Sequence, residues 1–295
     1  MRNGLLSAFT VDVEDGVSIA MRDAFNKTIQ QTNRVLGNTQ KVLDLLGENH
    51  VKGTFFVLGQ VAEVFPELVK EIADKGHEVG VHGYDHWQFF KMDYEYALKE
   101  ISNAKKLIED TTGKAVYGHR APAFSINPQT MWGLDVIARA GFIYDSSIMP
   151  CKTSRYGWRD FPKNIVNIQT VEGYSLIEVP LSTDSFLGKE LPVCGGSYLR
   201  LFPRWLTERS FEKVAEKRPV NVYMHPYEMD TVPYPDYYFE ELKKAGLIKR
   251  LKMRSMWINR SSIYPKLSYL LKKYEFDTMI NIVRNNEKSL DTIKV

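Results

Sequence analysis

Residues 77–86 read HEVGVHGYDH, and this stretch indicates both the fold and the chemistry of the chain. Its alternating valines are typical of a short buried strand, and Gly83 lets the chain turn. The strand therefore delivers His82 and His86 at its carboxyl end, with the spacing His-x-x-x-His. In a helical turn, side chains with this spacing lie on one face and can bind one cation. A catalytic ion takes three protein ligands, so we expect a third ligand from elsewhere in the chain.

Size and charge limit the classes of protein to which the chain can belong. With 295 residues and 44% hydrophobic side chains, it can bury a large core, as one α/β barrel or as two smaller domains. A net charge of +3, with no dense basic run among aromatic residues, argues against a nucleic-acid partner. The sequence has no apolar run of about 20 residues, so we expect no transmembrane segment.

The cysteines and the N-terminal sequence predict a cytoplasmic protein. Cys151 and Cys194 lie far apart and form no Cys-x-x-Cys pair, so nothing in the sequence requires a disulfide. The opening segment MRNGLLSAFTVDVED is unlike a signal peptide, because its short apolar run leads into acidic residues.

Predicted strands and helices alternate along the chain. Apolar segments predict strands at 5–13, 53–58, 77–81, 115–118, 142–144 and 220–224. Patterned segments predict helices at 40–49, 61–75, 93–113, 128–141 and 204–217. This alternation is typical of parallel βαβ units, and without a convincing linker we expect a single α/β domain.

Charged residues follow several of these strands at their carboxyl ends, where parallel α/β folds gather their functional groups. They are Asp12 with Glu14 and Asp15, His82, Arg120, Asp145 and His225. Unpaired carboxylates are costly to bury, so an acidic cluster at the end of an apolar strand favours a functional site.

The order of these residues resembles that of the polysaccharide deacetylase family, also called the NodB-homology or carbohydrate esterase family 4 domain. The resemblance rests on Asp12 with its acidic neighbours, HGYDH, the RAP of residues 120–122, Asp145 and the MHP ending at Pro226. It extends over about residues 5–230, so we expect one such domain at 1–295 with a C-terminal helical extension at about 236–295. It implies a distorted (β/α) barrel of seven or eight strands.

The resemblance also implies the roles of the charged residues. His82 and His86 would hold a divalent transition metal, with zinc expected, together with one acid. Asp12 would be the general base, and Arg120 would pair with its carboxylate. His225 would be the general acid, with Asp145 setting its tautomer and charge.

The acidic cluster departs from the commonest pattern of the family. Many members have two adjacent aspartates, whereas Val13 and Glu14 separate Asp12 from Asp15 here. Other branches place the acidic ligand two residues after the base, which selects Glu14. The analogy with the adjacent pair favours Asp15 instead, and both acids remain candidates.

Four residues are candidates for substrate binding: Tyr84, Pro122, Tyr198 and Arg200. The last two lie in segment 192–203, where adjacent glycines permit unusual backbone conformations, so we expect this loop to line the cleft and select the sugar. A backbone N–H in the turn 121–124 is a candidate donor to the developing oxyanion.

The resulting hypothesis is a metal-dependent hydrolase that removes an acetyl or formyl group from an amino sugar. The motifs GGSYLRLFP and HPYEMD resemble a branch found with bacterial exopolysaccharide and surface-glycan gene clusters. The substrate could be linked to a nucleotide or a lipid, and the basic segment 249–254 could contact its phosphate. Two alternatives remain open: hydrolysis of a linear or cyclic non-sugar amide, and glycan binding without catalysis.

Overall fold

A mainly parallel β-sheet forms the centre of the protein in the computed structural model, which describes residues 5–153, 156–186 and 188–295. The strands are β1 Ser7–Val13, β2 Thr54–Val57, β3 Glu78–Val81, β4 Gly118–His119, β5 Tyr144–Asp145, β6 Val166–Gln169, β7 Ser175–Glu178, β8 Thr183–Phe186, β9 Lys189–Pro192, β10 Asn221–Met224, β11 Phe276–Asp277 and β12 Asp291–Lys294.

Helices connect most of the parallel strands. They are α1 Gly16–Phe25, α2 Arg34–Glu48, α3 Gly59–Val64, α4 Pro66–Asp74, α5 Tyr94–Thr112, α6 Trp132–Arg139, α7 Gly196–Leu201, α8 Arg204–Ala215, α9 Asp236–Lys244, α10 Leu247–Ser255, α11 Ile263–Lys273 and α12 Met279–Asn286. Within the described ranges, no helix is both long and apolar enough to cross a membrane.

The strand order is β10-β1-β2-β3-β4-β5-β7-β6-β12, and every pair from β10 to β7 is parallel. Strand β6 runs antiparallel to β7, and β8 and β9 form a separate two-stranded sheet. Because the carboxyl ends of parallel strands share one edge, the charged residues after β1, β3, β4 and β10 converge there.

A short extended segment at residues 193–195 closes the sheet into a barrel. The Val193 N–H donates to the Ser182 carbonyl at 3.0 Å, beyond β7, and the Tyr223 N–H of β10 donates to the Cys194 carbonyl at 3.2 Å. Gly195 pairs with Tyr223 as a parallel bridge, and a side chain on this glycine would collide with the tyrosine ring. The prediction of a distorted (β/α) barrel is confirmed.

Strand β1 explains how the barrel separates its core from its polar site. Phe9, Val11 and Val13 pack into the main hydrophobic cluster of the molecule. Thr10 and Asp12 alternate with them and face the opposite way, where both accept hydrogen bonds from a buried arginine, Arg120. The period of two in the sequence of the strand therefore sends apolar side chains to the helices and polar ones to the interior.

Three predicted helices differ from those observed. The helix expected at 40–49 begins six residues earlier, at Arg34. The helix expected at 61–75 is divided at Phe65, because Pro66 lacks an N–H and restricts the residue before it. The helix expected from Pro128 begins at Trp132, after a turn in which the Thr130 hydroxyl donates to the Ser125 carbonyl at 2.6 Å.

The C-terminal part of the chain is more than the predicted helical extension. Strand β11 pairs with β1 through Ser7 and Ala8, and β12 pairs with β6. Helix α12 contributes Met279, Ile282 and Val283 to a second buried cluster. Residues after 236 therefore complete the sheet as well as covering it.

Candidate active site

One glutamate and two histidines meet at the carboxyl ends of β1 and β3. Glu14 Oε1 lies 2.9 Å from His82 Nε2 and 3.0 Å from His86 Nε2, and all three side chains are buried. Their candidate ligand atoms lie within 4.8 Å of one another. Within the described residues, this is the one group of three or more His, Cys, Asp or Glu side chains arranged to hold a metal ion.

The hydrogen bonding of His82 makes this cluster suitable for a cation. The Nδ1 of His82 lies 2.8 Å from the carbonyl oxygen of Arg120, which can only accept, so Nδ1 carries a proton. In the neutral imidazole, Nε2 then has a lone pair that faces the Glu14 carboxylate. A cation between the nitrogen and oxygen atoms would satisfy both groups, and two imidazoles with one carboxylate are a donor set that zinc accepts.

The pKa shifts of Glu14 and His86 also suit a metal site. Burial raises the pKa of Glu14, but His86, His225 and the hydrogen bonds from both cluster histidines outweigh it, so the pKa lies well below its usual range. Burial lowers the pKa of His86, although Glu14 opposes this shift. Metal ligands must be an ionised carboxylate and neutral imidazoles, and both shifts favour these forms.

An irregular turn, rather than the predicted helical turn, brings the two histidines together. Residues 82–88 are not helical, and His86 has a left-handed backbone with φ of 64°. Gly83 is also left-handed, with φ of 74°. These two reversals fold the segment back, so that the histidine rings lie 5.4 Å apart at their centroids.

Asp15 has a different function from Glu14. Its Oδ1 accepts the Val17 N–H at 2.9 Å as the N-cap of α1, and its Oδ2 accepts the N–H of Thr32. Both oxygens are therefore used to fix the start of α1 and the loop that follows this helix. The structure brings Glu14, and not Asp15, to the histidines, which contradicts the preference for Asp15.

Asp12 and Arg120 form a buried ion pair beside the cluster. Arg120 Nη1 donates to Asp12 Oδ1 at 2.7 Å, and neither side chain is more than 2% exposed. The other nitrogens of the guanidinium are also held: Nε donates to the Ser146 carbonyl and Nη2 to the Ser146 hydroxyl, each at 3.0 Å. The planar guanidinium is therefore fixed, and it leaves Asp12 Oδ2 free of the arginine.

His225 approaches the same aspartate from β10. Its Nε2 lies 3.8 Å from Asp12 Oδ2, and its Nδ1 lies 3.3 Å from Glu228 Oε2. Burial lowers the pKa of His225, but the charge of Glu14, the hydrogen bond and charge of Glu228, and the charge of Asp12 together raise it to about 9. The His225 imidazole thus faces a carboxylate on each side, Asp12 and Glu228.

Asp145 does not contact His225, which contradicts the role expected for it. Its Oδ1 lies 2.8 Å from His119 Nδ1 and accepts the Ser147 hydroxyl at 2.7 Å. The register of the sheet explains this, because His119 and Asp145 are direct partners on β4 and β5. Glu228 occupies the position beside the His225 imidazole that we expected for Asp145.

Sequence reasoning missed Glu228 and His119. Glu228 follows His225 by three residues, and its carboxylate accepts the His225 N–H at 3.0 Å as well as facing the ring. This i, i+3 spacing is a visible signal in the sequence HPYE. His119 precedes Arg120 directly, and only the pairing of β4 with β5 reveals its partner.

Tyr84 and Pro122 border the turn that carries the histidines. The Tyr84 hydroxyl donates to Glu63 Oε2 at 2.6 Å, and its ring packs against Gly59 at the start of α3. Pro122 is buried and lies against Gly83. Tyr84 is half-buried, so part of its ring can still contact a ligand.

Arg200 is a structural residue, which contradicts its expected role in substrate binding. It is 4% exposed, and its Nη1 donates to the carbonyls of Ser255, at 3.1 Å, and Met256. These bonds tie α7 to the end of α10. Tyr198 remains half-buried, with its ring against Phe202.

Within the turn at residues 121–124, the Ala123 N–H is the remaining candidate for the donor to the oxyanion. The Ala121 N–H donates to the Ser147 hydroxyl at 2.7 Å, and the Phe124 N–H donates to the Ala121 carbonyl at 3.1 Å. Pro122 has no N–H. The Ala123 N–H has no acceptor among the described residues, and its backbone is left-handed with φ of 54°. Such a conformation is unfavourable for alanine and is typical of functional turns.

The fold is a distorted (β/α) barrel, and comparison with family models shows which families its two parts resemble. Residues 27–144 match the model described as polysaccharide deacetylase. Residues 146–284 match a second model, described as a domain of unknown function (DUF3473). Residues 27–144 of the chain are thus similar to the polysaccharide deacetylase family.

Two relatives illustrate the similarity in sequence. A peptidoglycan deacetylase of Helicobacter pylori is 36% identical over 109 residues, which cover 37% of this chain and 36% of that protein. A peptidoglycan-N-acetylglucosamine deacetylase of Bacillus cereus is 38% identical over 84 residues, which cover 28% of this chain and 30% of that protein. The chain thus spans about a third of the length of these curated relatives.

Two solved structures are similar in fold over nearly the whole chain. A Mycobacterium smegmatis protein assigned to the polysaccharide deacetylases has a TM-score of 0.66 and 21% identity, covering 98% of this chain and 93% of its own. Puue allantoinase has a TM-score of 0.58 and 14% identity, covering 96% of this chain and 90% of its own. At these identities the likeness concerns the fold alone.

Proposed function

We propose that this protein is a metal-dependent hydrolase that removes an N-acyl group, acetyl or formyl, from an amino sugar in bacterial surface-polysaccharide biosynthesis. The observation that carries this proposal is the meeting of Glu14, His82 and His86 beside a carboxylate, Asp12, and an imidazolium, His225. The match of residues 27–144 to the polysaccharide deacetylase model supports it, as do the names of the relatives.

Glu14, His82 and His86 would hold the ion, for which zinc is our choice because the donors are two imidazole nitrogens and one carboxylate. When bound, such an ion supplies Lewis acidity that polarises the acyl carbonyl of the substrate. The remaining steps of the proposed mechanism belong to the side chains of the chain itself.

Asp12 is the proposed general base. Arg120 binds its Oδ1 at 2.7 Å and fixes the position of that oxygen. Oδ2 is the oxygen left to take a proton from the attacking water. Because Arg120 is itself held by Ser146, the carboxylate is fixed in position before the substrate arrives.

His225 is the proposed general acid. Burial lowers the pKa of His225, but the neighbouring carboxylates raise it above its usual value. This shift favours the protonated imidazole, which can donate from Nε2 to the departing amine. Glu228 holds Nδ1 and the backbone N–H of the same residue, so it orients the ring and stabilises its charge. Nε2 of His225 and Oδ2 of Asp12 lie 3.8 Å apart, so the acid and the base can both transfer protons at one scissile bond.

The Ala123 N–H is the proposed donor to the oxyanion, since the other N–H groups of its turn already have acceptors. Tyr84 and Pro122 would line the sugar subsite next to this turn. We further propose that the substrate is an N-acylated sugar linked to a nucleotide or a lipid, met in the cytoplasm.

The test is a panel of N-acylated amino sugars, free and nucleotide-linked, together with linear and cyclic non-sugar amides. The purified protein is incubated with each compound, with and without added zinc, and the mass of the products is measured. The proposal expects loss of an acyl group from an amino sugar, dependent on metal, and no loss with His82→Ala protein.

The same panel separates the alternatives. Release of product from a non-sugar amide alone would assign the site to amide hydrolysis of another class. Binding of sugars without any mass change, in a protein loaded with metal, would favour a glycan-binding protein.

A further inference from the structure

The outward face of α10 is apolar. Leu247 is 69% exposed, Ile248 85% and Leu251 57%. Single exposed apolar residues are normal on protein surfaces, but three on one short helix form a patch that usually marks a binding surface.

Helical geometry places the three residues together. At about 100° per residue, positions 247, 248 and 251 cover one side of α10. Met253 lies on the opposite side and is buried, in a cluster with Met21 of α1 and with Tyr234 and Tyr238. The Lys249 ammonium donates to the Ala24 carbonyl at 2.7 Å and gives the helix a second anchor on α1. One side of α10 is thus fixed to the protein, and the apolar side faces solvent.

The apolar side is bordered by positive charge. Residues 242–254 contain six lysines and arginines and no aspartate or glutamate. Lys252 and Arg254 are exposed and lie on either side of the apolar face, by the same helical geometry. In the part of the chain that the structure describes, neither forms an ion pair. Both are therefore available to an anionic surface.

We propose that this face of α10 docks on an anionic lipid membrane. Leu247, Ile248 and Leu251 would enter the boundary between headgroups and acyl chains, while Lys252 and Arg254 would contact lipid phosphates on either side. A central apolar arc between long cationic side chains is the pattern of helices that lie in the plane of a membrane interface. An acidic protein partner is less suited, because the centre of the face offers no hydrogen-bonding group.

This inference rests on exposure and charge, and it does not depend on the proposed hydrolase activity. The apolar face of α10 also shares no residue with the metal cluster or with the rest of the candidate active site. Its helix is anchored to α1, which begins two residues after Glu14, so docking needs no rearrangement of the barrel.

The experiment is co-sedimentation of the full chain with vesicles of neutral phosphatidylcholine and with vesicles containing phosphatidylglycerol. We expect binding to the anionic vesicles, at least tenfold stronger than to neutral ones and weakened by salt. The triple variant Leu247→Ser, Ile248→Ser, Leu251→Ser should lose at least tenfold in binding to anionic vesicles. Lys252→Gln with Arg254→Gln should abolish the preference for anionic lipid.

A matched control is Trp205→Ser, which removes an apolar side chain that is 61% exposed on α8 and should bind vesicles like the native protein. Absence of binding to either vesicle, or equal binding by the triple variant, would overturn the proposal. Sedimentation velocity supplies the other decisive result. If the native protein does not bind vesicles but self-associates, and the triple variant does not self-associate, the face binds a second copy of the chain and the membrane proposal is wrong.

Discussion

Asp12 and Glu14 are two residues apart in sequence and differ in what they contact. Asp12 pairs with Arg120, whereas Glu14 lies against both histidines of the cluster. We therefore expect Asp12→Asn to fold and to bind metal, yet to lose about 100-fold in turnover, the usual scale for a general base. Elemental analysis and steady-state kinetics on the same preparation measure both quantities. Near-normal turnover in Asp12→Asn would assign the base to another group.

Glu228 makes a prediction about pH. The proposed acid must be protonated, so turnover should fall as pH rises through the pKa of His225, which is raised above its usual value. Glu228 contributes to that raised pKa through its hydrogen bond and charge. Glu228→Gln should therefore move the descending limb of the pH profile to lower pH, and Asp145→Asn should leave the limb in place. An unshifted limb in Glu228→Gln would show that the carboxylate does not act through the imidazole.

The positions of single residues were predictable from sequence where they depend on local order along a strand. Asp12, His82, Arg120 and His225 lie at strand ends, and their positions follow from apolar segments that can be read directly. The partner of Asp145 depends on the register between β4 and β5, which no local pattern encodes. Arg200 binds carbonyls more than fifty residues later in the chain, so its structural role was equally hidden.

At the scale of elements, Arg200 joins α7 to α10. Arg200→Ala should leave the carbonyls of Ser255 and Met256 without this donor and lower the free energy of unfolding by about 2 kcal/mol. Denaturant unfolding measures the loss. Because the side chain is 4% exposed and committed to backbone, KM for the substrate should change little. A raised KM in a variant of normal stability would restore the idea that Arg200 binds substrate.

The elements themselves were predictable to different degrees. Helix α5 has readable signals at both ends, since Asp93 caps its start and Gly113 ends it with φ of 65°. Strands β4 and β5 each consist of two residues, and at that length periodicity carries little information. Helix α1 had no assignment, because it starts within the acidic site sequence with Asp15 as its N-cap. Its buried apolar face, formed by Val17, Ala20 and Met21, was overlooked.

For the whole molecule, His77 predicts a loss of stability in acid. Burial lowers its pKa from 6.5 to about 4, with the charges of Lys52 and Lys75 adding to the effect. The unfolded chain takes up this proton as pH falls below 6.5, and the folded protein does so only near 4. The stabilisation of the folded protein by this pKa difference is therefore complete above pH 6.5, and it is lost as pH falls from 6.5 to about 4.

His77 Nδ1 accepts the Gly53 N–H at 3.2 Å, and an asparagine can keep that acceptor without titrating. When the pH is lowered from about 7 to about 5, the free energy of unfolding should fall in both proteins. The fall should be about 2 kcal/mol smaller in His77→Asn than in the native protein, as measured by urea unfolding. His50→Asn is the matched control, because His50 is exposed and its left-handed backbone tolerates asparagine. Equal acid sensitivity of native and His77→Asn proteins would exclude His77 as the cause.

The central claim is that Glu14, His82 and His86 together hold one catalytic metal ion. Elemental analysis of the purified protein after exposure to zinc and desalting tests it most directly, with Glu14→Gln and Asp15→Asn as the paired variants. We expect one ion per chain in the native protein and in Asp15→Asn, since Asp15 uses both oxygens on backbone N–H groups. Glu14→Gln should retain far less metal. Full metal content in Glu14→Gln, or loss of metal in Asp15→Asn alone, would contradict the assignment.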